Sequence, residues 1–165
     1  MDEEVKPVYF SETGKIRSRI AHYLGGDIVD IGAGPEKITP ESYGVDGRNL
    51  PGIDLVTRDL SGLSKILKKK YDVVFSSHCL EHFRDDVGAL ADWIQCAKIG
   101  GLVILYLPDG DHYNNAANPE HLHEYTYEKF CKWVYDNFSN AVMIDSGLDI
   151  GYDRYSFYVV LKRII

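Results

Sequence analysis

Three acids and two glycines stand at the ends of apolar runs in this chain. Asp30 closes the run at 27–31, and Gly32 and Gly34 follow it at alternate positions around Ala33. Glycine lets a backbone turn sharply and lets a ligand approach it closely. Asp46 ends a second run, in Tyr43-Gly44-Val45-Asp46-Gly47-Arg48. A carboxylate there can accept hydrogen bonds from both hydroxyls of a ribose. Asp59-Leu60 follows a third run. Asp59 could accept from an adenine amino group while Leu60 covers the ring. The same residues also have plainer uses: an aspartate before glycine is common in turns, and Asp59 could cap a helix.

A fourth run ends in Ser76-Ser77-His78-Cys79-Leu80-Glu81-His82. The chain has 6 histidines, and His78, His82, His112, His121 and His123 all fall here or later. An imidazole near its ordinary pKa suits removal of a hydroxyl proton, which makes His78, His82 and His123 the candidate general bases. His78, Cys79 and His82 also carry metal-ligand atoms. No fourth partner stands at ligand spacing, so no metal is expected. Tyr113, Asn114 and Asn115 sit in a polar stretch at 109–124, where loops carry specificity.

The elements that must position these residues can be read from periodicity. Strands are predicted at 27–31, 43–46, 55–58, 71–76, 102–107, 141–145 and 157–162. Helices are predicted at 16–24, stopped by Gly25-Gly26, at 61–70 with Ser61 as a cap, at 85–98, and at 127–138 with Thr126 as the cap. Strands spaced by helices imply a mostly parallel sheet. The last two strands lack a helix between them, so one antiparallel strand is expected near an edge. Residues 1–165 read as one domain, with 1–15 as a polar lead-in.

A net charge of −7 disfavours a nucleic-acid partner. The longest apolar run, 102–107, is too short to cross a bilayer, and the acidic start is not a signal peptide. Three scattered cysteines without a paired spacing fit a reduced, cytoplasmic location. A homodimer could cover an exposed sheet edge.

The turn after Asp30 lacks the third glycine of the dinucleotide fingerprint, because Lys37-Ile38-Thr39 follow. Only a few residues precede Pro40, so the helix that would take a pyrophosphate is very short or absent. Taken in order, Asp30-Ile31-Gly32-Ala33-Gly34, Asp46, Asp59-Leu60, Leu80-Glu81-His82, the Gly100-Gly101 before a strand and His121-Leu122-His123 resemble class I S-adenosylmethionine-dependent methyltransferases of the small-molecule type. The resemblance runs from about Asp27 to the C-terminus. It implies an α/β three-layer Rossmann-like sandwich with a seven-stranded sheet. It further implies that Asp30, Gly32, Ala33 and Gly34 meet the methionine end of S-adenosylmethionine. Asp46 would hold the ribose, with Gly47 and Arg48 among the cofactor-binding residues, Asp59 and Leu60 the adenine, and Ser76, Ser77 and His78 would line the region of the sulfonium. Pro35 stands where the family's usual turn has its last glycine. A small acceptor with a hydroxyl is expected, such as a sugar, a lipid head group or a metabolite.

Two other classes fit parts of the pattern. One is a methyltransferase-like module that binds without catalysis. The other is an NAD(P)-dependent reductase, suggested by Tyr125 and Lys129 four residues apart. The missing third glycine and the short chain argue against the reductase.

Overall fold

The computed structural model describes residues 11–165. The first ten residues of the predicted lead-in lie outside the described residues. Seven strands form one sheet: β1 (Ile28–Ile31), β2 (Tyr43–Asp46), β3 (Leu55–Val56), β4 (Tyr71–Ser77), β5 (Ala97–Pro108), β6 (Ala141–Gly151) and β7 (Arg154–Arg163), in the spatial order β3-β2-β1-β4-β5-β7-β6. The first five pair in parallel, and β7 runs antiparallel between β5 and β6. The single antiparallel strand near the edge is therefore where the sequence places it.

Helices cover both faces. On one face α1 (Glu12–Ile20) buries Ile16 and Ile20, one turn apart, against Phe75, Tyr106 and Val160. On the other, α2 (Leu63–Ile66), α3 (Asp86–Cys96) and α4 (Tyr127–Asn137) cover Val29, Val74, Val103 and Val159. β1 has no exposed residue, as a strand covered on both faces requires.

Several boundaries differ from expectation for identifiable reasons. The first helix begins at Glu12 because the Ser11 side chain accepts the Gly14 N–H at 3.1 Å, so residues 12–15 are helix rather than lead-in. It stops at Ile20 and tightens into a 3₁₀ turn before Gly25. The helix predicted over 61–70 shrinks to Leu63–Ile66, and Ser61 does not cap it; the Ser61 N–H instead donates to Asp59 Oδ1 at 3.2 Å. Thr126 flanks α4, but its side chain makes no capping bond. Asp109 Oδ1 accepts the Tyr127 N–H at 2.8 Å in its place. The last two strands are a long hairpin whose arms continue through most of the segment read as a connection. No helix joins β1 to β2, as the early Pro40 implies.

Candidate active site

The sequence-predicted residues converge beyond the carboxyl ends of β3, β2, β1 and β4, four neighbours in the sheet. Backbone bonds lace these ends together. Gly32 and Ala33 N–H both donate to Val45 O, at 2.8 and 3.1 Å, and Thr57 N–H donates to Asp46 O at 2.9 Å. The glycine turn thus lies against the end of β2, with Asp46 between it and the segment that leads to Asp59.

Gly32 and Gly34 both have positive φ, 68° and 61°. A Cβ on Gly32 would stand 2.6 Å from Cys79 Sγ, so this position excludes side chains twice over. Asp46 is 5% exposed and its carboxylate is fully engaged. Oδ2 accepts the Gly34 N–H at 2.9 Å and Oδ1 accepts the Arg48 N–H at 2.9 Å. The Arg48 guanidinium adds one further donor to each oxygen, Nε to Oδ1 at 3.1 Å and Nη2 to Oδ2 at 3.3 Å. Burial opposes ionisation of Asp46, but these bonds outweigh it and hold the pKa below the ordinary carboxylate value.

Asp30 lies deeper. Its Oδ2 accepts the Ile38 N–H at 2.6 Å, which folds the loop back over β1. Burial pushes its pKa up to about 7, against the pull of that bond and of Lys37. Between the unfolded pKa of about 4 and about 7, the unfolded chain ionises this group while the folded chain resists. Folding stability contributed here therefore falls as pH rises through that window and is level above it. Asp30→Asn keeps an acceptor for Ile38 and removes the penalty. Urea unfolding at pH 5 and pH 7 should show the variant gaining on the parent by up to about 1.4 kcal/mol per pH unit. Equal pH profiles would show that Asp30 is ionised throughout.

Asp59 is exposed, while Leu60 packs on the core and its carbonyl accepts the buried Trp93 indole N–H at 2.7 Å. Trp93 is the anchor of this segment and was not singled out by the sequence. A helical tryptophan between core residues carries no signal that its N–H serves a distant loop.

At the end of β4, Ser76 Oγ donates to Ile31 O at 2.9 Å, and Ser77 Oγ is buried without a partner. His78 takes φ 47°, the one non-glycine with positive φ among the described residues. Its Nε2 lies 3.0 Å from Ser156 Oγ. Burial drives its pKa down to about 3, with Lys15 adding to the effect, so the imidazole stays neutral and is a weak base. His123 Nε2 lies 2.7 Å from Phe83 O, and its ring stacks on Tyr125. That places His123 as a brace between two segments. His82 sits on the one-turn 3₁₀ helix Leu80–His82, with Nδ1 bonded to Glu120 O at 3.0 Å and Nε2 free of hydrogen bonds. Tyr125 donates its hydroxyl to Asp86 at 2.7 Å, which removes it from any pairing with Lys129.

Four buried side-chain oxygens among the described residues lack a partner: Glu12 Oε2, Ser77 Oγ and both oxygens of Glu81. All lie at or beside the carboxyl end of β4, since Glu12 Oε2 stands 3.7 Å from His78 Nε2. Unsatisfied buried polar atoms are costly and collect where a ligand supplies the missing bonds. A cavity of about 350 Å³ opens at the other end of the strands, around Lys37, Asp54, Lys69 and Tyr71. Two ion pairs cross its lining, Lys37 with Asp54 and Lys69 with Asp27.

A family model described as a methyltransferase domain matches residues 6–152. No curated protein matches the chain in sequence. Solved structures share its fold at low identity. The 1,6-didemethyltoxoflavin-N1-methyltransferase of Burkholderia thailandensis, solved with 1,6-didemethyltoxoflavin and S-adenosylhomocysteine, is 15% identical, with a TM-score of 0.72 over 94% of this chain and 79% of its own. A SAM-dependent methyltransferase from Archaeoglobus fulgidus is 16% identical, with a TM-score of 0.67 over 92% of each chain. An rRNA methylase from Streptococcus thermophilus is 10% identical, with a TM-score of 0.60 over 96% of this chain and 99% of its own.

Proposed function

Since this chain belongs to the methyltransferase domain family, we propose that it transfers a methyl group from S-adenosylmethionine to a hydroxyl of a small acceptor. The observation that carries the cofactor reading is the pairing of Arg48 with Asp46. A carboxylate has about four acceptor sites. Backbone N–H groups hold one on each oxygen, and the guanidinium holds another on each. A ribose presents two adjacent hydroxyls, which match the two sites the guanidinium occupies. The Arg48 side chain is 67% exposed while that of Asp46 is 7% exposed, so the guanidinium can swing out into water and leave its two acceptor sites to the ribose hydroxyls.

From the ribose, the nucleoside would extend toward Asp59 and Leu60 on one side. The methionine end would run along the Gly32–Gly34 turn toward Asp30 on the other. A cationic amino group there favours ionised Asp30, whose buried carboxylate otherwise resists charge. The sulfonium would lie near Ser77 and His78, where unpartnered oxygens face inward. When bound, S-adenosylmethionine supplies the activated methyl. The protein's task is to align acceptor oxygen, methyl and sulfur in one line. Among the candidate bases, His82 has a free Nε2, whereas His78 is held neutral by burial and His123 is committed to Phe83.

The net charge of −7 and the compact loops favour a small acceptor over a folded nucleic acid. Incubation with methyl-labelled S-adenosylmethionine and separate pools of hydroxylated metabolites, sugars and total RNA tests this. Label is expected in a small-molecule pool. Label in RNA alone would overturn the acceptor class while leaving the cofactor reading standing.

A further inference from the structure

Glu81 is the most anomalous side chain among the described residues. It is wholly buried, and neither carboxylate oxygen has a hydrogen-bond partner. A buried carboxylate without donors is expensive unless something cationic sits beside it.

The groups it faces are two imidazoles. Glu81 Oε1 lies 3.8 Å from His82 Nε2 and 3.7 Å from His121 Nε2. The ligand atoms of all three residues fall within 4.8 Å of one another. His121 comes from the loop after β5, and that loop is tied to this place by the backbone: Leu122 and His123 N–H both donate to Glu81 O, at 2.9 and 3.2 Å. The two rings meet edge to face, 4.8 Å between centroids.

The outer nitrogens settle which ring atoms face Glu81 as lone pairs. His82 Nδ1 is 3.0 Å from Glu120 O, a pure acceptor, so Nδ1 carries the proton and Nε2 is the bare nitrogen. His121 Nδ1 is 2.9 Å from Asn115 Oδ1, which sets the same tautomer. Its Nε2 then accepts from Asn118 Nδ2 at 3.0 Å, a neutral amide bond that a metal would replace. Ligating histidines are oriented by bonds of this kind on the other ring nitrogen.

We propose that Glu81, His82 and His121 form a binding site for a divalent transition metal, of which zinc fits the donor set best. Two neutral imidazoles and a carboxylate are the mixed nitrogen–oxygen ligands zinc accepts, and three protein ligands leave a fourth position open. Tetrahedral zinc with bonds of about 2.1 Å needs ligand atoms about 3.4 Å apart, a few tenths of an ångström closer than the two measured separations. The His82 side chain is 34% exposed and gives the ion a route in. Along the sequence, His82 stands beside His78 and Cys79. The fold instead brings in His121, 39 residues on from His82, while Cys79 packs against Gly32. On the methyl-transfer reading, the open position would take an acceptor oxygen and ease loss of its proton, and a metal-bound His82 would then be a ligand and not the general base. Metal binding itself does not depend on that reading.

The test uses the full chain, stripped with chelator and titrated with Zn²⁺ by calorimetry and with Co²⁺ by visible absorption. One equivalent should bind, and Co²⁺ should develop d–d bands. Glu81→Gln and His121→Ala should each weaken zinc at least 30-fold, and His82→Ala, at a half-exposed position, should do the same with least risk to folding. His112→Ala should bind as the parent does. Melting curves without metal report whether each variant folds. No saturable binding at 100-fold excess metal, or equal affinity in the His82→Ala variant, would overturn the site. S-adenosylhomocysteine binding measured on the same stripped protein separates failure of the metal site from failure of the methyltransferase reading.

Discussion

Asp46→Asn should weaken S-adenosylhomocysteine binding about 30- to 1000-fold, the largest effect expected of any single substitution here, while Arg48→Ala should change it less than about fivefold. Hydrogen bonds to a charged group contribute about 1.5–3 kcal/mol each, and every 1.4 kcal/mol is about tenfold in affinity. The asparagine keeps one acceptor oxygen but turns an amide group toward the Gly34 or Arg48 N–H, which now has no partner. The variant should therefore also unfold about 1–3 kcal/mol more easily, the cost of an unsatisfied buried donor. Arg48→Ala leaves both backbone donors in place and removes only an exposed guanidinium. Its loss clears the carboxylate, and the ribose hydroxyls would take the two acceptor sites that the guanidinium held. Calorimetric titration of both variants separates the two roles. If Arg48→Ala lost affinity as strongly as Asp46→Asn, the guanidinium would be a ligand of the nucleoside rather than its stand-in.

Gly32→Ala should lower stability by about 2–5 kcal/mol, from two independent causes. An alanine held at φ 68° costs about 1–2 kcal/mol, and forcing a methyl into a filled space costs about 1–3 kcal/mol. The space is filled by Cys79 Sγ, 2.6 Å from where the new Cβ would stand. For a domain of this size the midpoint of thermal unfolding should fall by about 5–15 °C, at about 2–4 °C per kcal/mol. The Gly32→Ala/Cys79→Ala double variant should recover the steric part but not the backbone part. A double-mutant cycle monitored by urea unfolding would then show coupling of about 1–3 kcal/mol. Strict additivity would mean that the turn moves away from Cys79 and that the close approach is not a constraint.

The strands were legible because each reads as an apolar run ended by a chemically distinct residue. Asp30, Asp46 and Ser77 mark the ends of β1, β2 and β4 closely. Parallel pairing followed from their spacing, and the antiparallel β7 followed from the lack of a helix after β6. What failed was local. Ser61 resembles a cap, but Asp59 captures its N–H, and α2 starts two residues later, at Leu63, without a side-chain cap. Thr126 resembles a cap, but Asp109, buried and 17 positions earlier, does the capping. The causes differ: Ser61 is held by an acid two residues back, whereas the bond at Tyr127 comes from a side chain far outside the local window.

The site was legible in the same uneven way. Glycines and acids that follow strands announce themselves, because strand ends face a common crevice. Arg48 was read as part of the site, but its position astride Asp46 depends on a rotamer that no spacing encodes. Trp93 and His121 reach their partners from a helix and from a loop, across 33 and 40 residues, to Leu60 and Glu81. Nothing local to either residue points there.

The crevice at the ends of β1 to β4 is expected to take a sulfonium nucleoside through Asp46. Calorimetric titration of the full chain with S-adenosylhomocysteine tests it most directly. Saturation at one mole per mole, displaced by S-adenosylmethionine and indifferent to NADH, is the predicted result. No saturable heat with S-adenosylhomocysteine at millimolar concentration, from protein that melts cooperatively, would contradict it.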